Sequence, residues 1–183
     1  RRTFAAVVMA ASLGCSTGTL PSEIPVGGDF TLTNQDGQSF ASTSLRGKVA
    51  LVFFGYTFCP DACPTTMSKL TAVTQRLGAD AGKVQVVYIS IDPKRDTPQV
   101  MKEHLGLFAS LDAVGLTGSQ EEVDRVAKQF GVFHEAEQVD SAAGYLIAHT
   151  TSVFAVDTEG HTRELLRYSD TVDEMVAKVK RLL

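Results

Sequence analysis

Two segments limit what this chain can fold into more than any other feature. Lys48–Gly55 (KVALVFFG) and Val84–Ile91 (VQVVYISI) are almost unbroken apolar runs rich in β-favouring residues. Neither alternates apolar with polar, so neither can leave one face in water. Such runs suit strands buried on both faces, as in parallel sheets covered by helices. Each is followed by helix signals. Met67, Leu70, Val73 and Leu77 recur at helical spacing, which predicts a helix from Pro64 to Leu77. Asp92-Pro93 breaks the chain after the second run. Thr97-Pro98 then supplies a capping hydroxyl and a proline for a first helical turn. A third helix is predicted from Ser119, whose hydroxyl can form a capping box with Glu122, to Phe130, stopping at Gly131.

The flanks complete the pattern. Phe30, Leu32 and Phe40 bracket a turn at Asn34-Gln35-Asp36-Gly37, which reads as a short hairpin. Ser152–Val156 and Arg163–Leu166 read as strands joined by a turn at Asp157-Thr158-Glu159-Gly160, and a last helix is predicted from Thr171 to Leu182. Residues 133–148 show no regular period and are expected to form an irregular excursion. Strands alternating with helices, closed by an antiparallel hairpin and a helix, predict an α/β chain with a thioredoxin-like fold, its central mixed sheet flanked by helices. A length of 183 residues fits one such domain. The net charge of −4 leaves no basic footprint, which argues against nucleic acid as a partner.

The first residues read differently. Arg1-Arg2 precedes an apolar run from Phe4 to Leu13, then Gly14-Cys15 and small polar residues. That order is the order of a secretory signal. The run is too short for a membrane-crossing helix, which needs about 20 residues. Arg1-Arg2-Thr3-Phe4 resembles the start of a twin-arginine signal. Leu13-Gly14-Cys15 resembles a bacterial lipoprotein cleavage site, with Ser12 where an aliphatic residue is preferred. Residues 1–15 are therefore expected to be a signal or lipoprotein-like leader, with Cys15 a candidate for lipidation. Residues 16–28, punctuated by Gly18, Pro21, Pro25, Gly27 and Gly28, are expected to be a linker, and 29–183 the folded domain. The expected location is outside the cytoplasm: the periplasm or the outer face of a bacterial cytoplasmic membrane, with membrane contact through an N-terminal lipid.

With Cys15 removed or lipidated, Cys59 and Cys63 remain as the only pair. They lie where the first buried strand ends and a helix begins, the edge at which open α/β sheets bind ligands. Pro64 suits the first helical position, placing Cys63 at or near the N-cap. The unpaired N–H groups and partial positive charge of a helix start favour a thiolate there. Three residues separate the cysteines, where thioredoxin-type oxidoreductases have two. Such a loop can close a disulfide or hold two sulphurs around one metal ion. Two thiolates leave most metals short of ligands. Of the four histidines, His104 on a helix and His161 after a turn read as solvated or structural, and His134 has no evident partner. His149, just before a core strand, would face the cysteine loop in a thioredoxin frame. Two thiolates and an imidazole suit copper in either oxidation state, and zinc would also accept them with water. The affinity order favours copper.

These residues and their surroundings resemble the Sco/SenC family of copper-binding proteins involved in assembling cytochrome c oxidase. The resemblance runs from about residue 24 to the C-terminus. It rests on Gly47-Lys48, on Gly55-Tyr56-Thr57 before Cys59-Pro60-Asp61-Ala62-Cys63-Pro64-Thr65-Thr66, on Ser90-Ile91-Asp92-Pro93-Lys94-Arg95-Asp96-Thr97-Pro98, on Gly115-Leu116-Thr117-Gly118 and on the His149 segment. It implies that Cys59, Cys63 and His149 bind copper and that the two cysteines cycle between dithiol and disulfide. Asp61 and Asp92 match acidic positions of the motifs, expected to support the site or the structure around it. Ala148 departs from the Asp that often precedes the histidine.

The resemblance implies a metallochaperone that delivers copper to, or prepares, the dinuclear copper site of the oxidase. Its partners would be the copper-containing oxidase subunit and another copper chaperone or a thiol reductant. The competing reading is a thiol-disulfide oxidoreductase that reduces the oxidase's copper-ligand cysteines. A peroxidase would need an Arg and a hydroxyl beside Cys59, and neither is evident. Thioredoxin-like oxidoreductases usually carry a cis-proline in the loop where His149 stands. No proline occurs after Pro98, which favours metal binding over disulfide exchange.

Overall fold

The structure, a computed structural model, describes residues 19–140 and 143–183. The expected leader, with Cys15, lies outside the described residues. The two apolar runs form strands that are buried along their whole length, β3 (Val49–Gly55) and β4 (Val84–Ser90). The preceding hairpin is β1 (Thr31–Asn34) and β2 (Ser39–Ala41). Between β3 and β4 runs α1 (Ala62–Leu77), and α2 (Pro98–Gly106) follows β4. Then come β5 (Ala113–Thr117) and α3 (Gln120–Gln129). A hairpin of β6 (His134–Gln138) and β7 (Tyr145–His149) leads to β8 (Val153–Val156), β9 (Thr162–Leu166) and α4 (Val172–Lys180).

Seven strands make one mixed sheet in the order β2-β1-β5-β4-β3-β8-β9, and β6 and β7 make a separate two-stranded sheet. The chain has the expected thioredoxin-like α/β fold. Its centre, β5-β4-β3, is parallel, and the flanking pairs β1–β5 and β3–β8 are antiparallel. Phe53 and Phe54, neighbours in β3, face opposite sides of the sheet. The Phe53 ring meets Tyr88, which meets His104 of α2. The Phe54 ring meets Phe154 of β8 and Phe130 at the end of α3. Helices thus cover both faces, as the lack of alternation in β3 and β4 requires.

Helix starts follow their caps. Thr97 Oγ1 accepts from Val100 N–H (3.3 Å) at α2. Ser119 and Glu122 form the expected capping box at α3, and Thr171 and Glu174 form another at α4.

Two expectations are corrected. Strand β5 was not foreseen: it is short and carries Gly115, whose added Cβ would lie 2.7 Å from Leu105 Cδ1 and 3.1 Å from Met101 Cε. The residue that hides the strand is the one that lets α2 press against it. The expected irregular excursion at 133–148 instead holds the paired strands β6 and β7, with His134 opposite His149 and Gln138 opposite Tyr145. Ile147 is the only buried residue of its described strand positions, so no alternation marked it. The segment expected as a linker is fastened to the domain over part of its length. Ile24 N–H donates to the Thr162 carbonyl (2.8 Å), Gly27 N–H to the Gln129 carbonyl (2.7 Å), and Arg163 to the Pro21 carbonyl (3.3 Å).

Register decides where the site falls. Parallel pairing sets Gly55 level with Ser90, so the loops leaving β3 and β4 emerge side by side. Antiparallel pairing of β8 with β3 sets Val153 level with Phe53. The chain that ends in His149 therefore enters the sheet at the same edge.

Candidate metal centre

Helix α1 starts two residues earlier than expected, at Ala62, with Asp61 in the cap position. Pro64 sits inside the first turn, where its missing N–H costs no helical bond. Cys63 is consequently inside the helix and fully buried, and Cys59 is half-buried in the loop. The Asp61 side chain does not cap the helix. The sulphur of Cys59 takes that role, accepting from Cys63 N–H at 3.4 Å. The loop itself is tied by Cys59 N–H to the Tyr56 carbonyl (3.1 Å).

Gly55 makes room for the second sulphur. A Cβ on Gly55 would lie 2.9 Å from Cys63 Sγ and 2.8 Å from Tyr88 Oη. Any larger residue at the end of β3 would intrude on the Cys63 sulphur.

His149 ends β7 with Nε2 3.6 Å from Cys63 Sγ. Its Nδ1 lies 2.9 Å from the Thr150 carbonyl. A carbonyl only accepts, so Nδ1 carries the proton and the Nε2 lone pair is left for a metal. The imidazole is held edge-on by the rings of Tyr56 (5.9 Å) and Phe53 (6.2 Å). Orientation by a backbone carbonyl means that Ala148, exposed on the far side of the strand pair, leaves the imidazole oriented without a carboxylate.

The ligand atoms of Cys59, Cys63 and His149 all lie within 4.8 Å of one another. Metal–sulphur and metal–nitrogen distances of about 2.3 and 2.0 Å, at angles of about 110–120°, put sulphur and nitrogen about 3.5–3.7 Å apart. The Cys63–His149 separation of 3.6 Å fits that spacing. The donor set is soft, and one of its cysteines, Cys59, is only half-buried.

The two thiols differ sharply. The hydrogen bond offered by Cys63 is the largest influence on Cys59 and lowers it to about 3, against the cost of burial, with help from the N–H groups of Asp61 and Cys63. Cys63 is pushed up because it is the donor in that pair and because it is buried. The pair is thus polarised, Cys59 toward thiolate and Cys63 toward thiol.

The neighbouring loop secures the cysteine loop. Buried Asp96 accepts from Thr57 N–H (3.0 Å), Thr57 Oγ1 (2.5 Å) and Ser90 Oγ (2.6 Å). Asp92 is buried and accepts from Tyr145 Oη at 2.7 Å while pairing with Arg95. Asp92 thus acts on the strand that carries His149, and Asp61 makes no side-chain bond to the site. Sequence reasoning missed the roles of Asp96 and Arg95. The signal available was a cluster of charges, Asp92, Arg95 and Asp96, packed between a buried strand and a capped helix.

The other histidines stay apart. His104 packs between Tyr88 and Phe108, and burial lowers its pKa. His134 turns to Asp124 (3.3 Å). His161 belongs to a second group with Asp157 and Glu159. There Asp157 is already spent on Glu159 N–H, His161 N–H and Arg163 Nε.

Comparison with known proteins identifies the family. The SCO1/SenC family matches residues 19–183. A SCO2-like protein of Rickettsia felis is 38% identical over 138 residues, covering 75% of this chain and 67% of that one. The structure of Bradyrhizobium japonicum ScoI with copper bound superposes with a TM-score of 0.76 at 37% identity, covering 86% of this chain and 99% of that one. BsSco, described with a disulfide switch and as a member of the Sco family of cytochrome c oxidase assembly proteins, superposes with a TM-score of 0.69 at 28% identity, covering 88% and 95%. With that match over the whole described domain, the chain belongs to the SCO1/SenC family.

Proposed function

We propose that this protein is a copper-binding metallochaperone that helps assemble the dinuclear copper centre of cytochrome c oxidase. Cys59, Cys63 and His149 would hold the ion, and the carrying observation is their convergence within 4.8 Å with His149 Nε2 turned to the Cys63 sulphur. Binding requires Cys63 to lose its proton, so copper uptake releases it to solvent. Copper supplies a centre that thiolates and imidazole can hand to a similar ligand set. The half-buried Cys59 beside exposed Phe58 is the side from which such transfer would start. The copper-bound B. japonicum relative and the oxidase-assembly description of BsSco support both halves of this reading.

A second reading, a thiol-disulfide reductase acting on the oxidase's copper-ligand cysteines, draws on the lowered Cys59 thiol. Its thiolate would attack a client disulfide and form a mixed disulfide. Cys63 would then give up its proton and displace the client thiol, leaving Cys59–Cys63 oxidised and the client pair reduced. The domain would comprise residues 29–183 behind a leader of 1–15 and a segment of 16–28. The location would be exported and, if Cys15 is lipidated, membrane-attached, which mass analysis of the mature N-terminus would test.

The discriminating experiment is anaerobic copper titration of the reduced protein, with metal analysis and the visible Cu(II)–thiolate spectrum. One copper per chain, much weakened by His149→Ala and by Cys59→Ser/Cys63→Ser, supports the chaperone. Binding indifferent to His149→Ala would move the reductase to first place.

A further inference from the structure

The β6–β7 hairpin that carries His149 is outside the main sheet. A lone two-stranded hairpin is marginal in water, so its placement against the cysteines depends on side-chain ties. Beside the bond from Ile147 N–H to Tyr56 Oη (3.1 Å), several of them converge on Arg95. Its guanidinium carbon lies 3.6 Å from the centre of the Tyr145 ring, at the start of β7. It also lies 4.7 Å from the Phe58 ring and 5.8 Å from the Tyr56 ring, both in the cysteine loop. Arg95 Nη1 donates to the carbonyls of Ala143 (3.0 Å) and Tyr145 (3.1 Å). Arg95 Nε pairs with Asp92, whose other oxygen receives Tyr145 Oη at 2.7 Å. The pair is well shielded, with the side chains 15% and 4% exposed. One planar cation therefore touches the loop that holds the sulphurs and the strand that holds the imidazole.

The geometry points to Arg95 as a positioning residue that sets the reach of His149 to the cysteines. Through it, the site holds three ligands in place rather than a cysteine pair with a distant histidine. A lysine could not replace it, because an ammonium lacks the planar fork that stacks on Tyr145 while donating sideways. This inference rests on the reading of the site as a copper centre.

The test is a double-mutant cycle on copper affinity, measured on the full chain by competition with a chromophoric Cu(I) chelator. Folding of each variant is checked by circular dichroism. Arg95→Ala is expected to weaken copper about 10- to 100-fold, the usual cost of losing a group that orients a ligand, and Arg95→Lys to recover little. In a His149→Ala background the same change is expected to cost almost nothing, because the ligand it positions is gone. Should Arg95→Ala not fold, Tyr145→Leu carries the same comparison. A folded Arg95→Ala protein with wild-type affinity would overturn the inference. So would losses that multiply in the double variant. If His149→Ala itself leaves copper affinity unchanged, it is the copper-site reading that fails, and this inference falls with it.

Discussion

Replacing Gly55 by Ala probes how tightly the site is built into the fold. The new methyl would meet Tyr88 Oη at 2.8 Å, Cys63 Sγ at 2.9 Å and Phe53 Cε1 at 2.9 Å. None of these has an open side to move into: Phe53, Cys63 and Tyr88 are each 0% exposed. Overpacking of a core costs about 1–3 kcal/mol. Alanine would return about 0.4–1 kcal/mol by restricting the unfolded chain. The net loss is about 1–2 kcal/mol, and at about 2–4 °C per kcal/mol for a domain of this size the melting temperature should fall by about 2–8 °C. Because one of the three atoms struck is the sulphur of a proposed copper ligand, copper affinity should fall as well. Thermal unfolding of the reduced, metal-free protein and chelator competition for copper measure the two effects. A variant as stable as wild type with unchanged copper affinity would refute the reasoning.

Other changes follow from particular contacts. Asp157 holds the β8–β9 turn through Glu159 N–H (2.9 Å), His161 N–H (2.9 Å) and Arg163 Nε (2.6 Å). Asp157→Ala should cost about 3 kcal/mol, the scale for breaking a buried ion pair, read from urea unfolding. Burial pushes the Asp157 carboxyl up, but the hydrogen bonds from His161, Arg163 and Glu159 more than offset it and hold it below its ordinary value. Its stabilisation is thus fully present above the ordinary carboxylate range of about pH 4 and lost as the pH falls through the lowered value. Asp157→Asn should flatten that acid limb in a stability-versus-pH series. Ser119→Ala removes the α3 cap and should cost about 1 kcal/mol, with no change in copper affinity. Copper at a free concentration about 1,000 times its Kd should add about 4 kcal/mol of stability, seen as a rise in melting temperature that a chelator reverses and His149→Ala diminishes.

The central sheet was legible because β3 and β4 are buried on both faces and so lack alternation. Helix α3 was legible from its Ser119–Glu122 box. The start of α1 was misplaced because proline is as acceptable within a first helical turn as at its first position. Strand β5 escaped because Gly115 gives no side-chain signal of its own and matters only through Met101 and Leu105 of α2. The β6–β7 hairpin escaped because His134–Gln138 is almost entirely solvated. Such strands are held by partners, not by a hydrophobic face. The cysteines were marked by spacing and flanking prolines. His149 was marked by its place before β8, and the structure sets it within reach of Cys63. Arg95 and Asp96 were not marked as functional, since their effect exists only once the loops after β3 and β4 lie side by side.

The most direct measurement is X-ray absorption at the copper edge on the copper-loaded protein, wild type beside His149→Ala. Wild type should show two sulphur neighbours and one imidazole nitrogen, matching Cys59, Cys63 and His149. The variant should keep the sulphurs and lose the imidazole signature. An imidazole signal that survives His149→Ala, or a first shell without two sulphurs, would contradict the site.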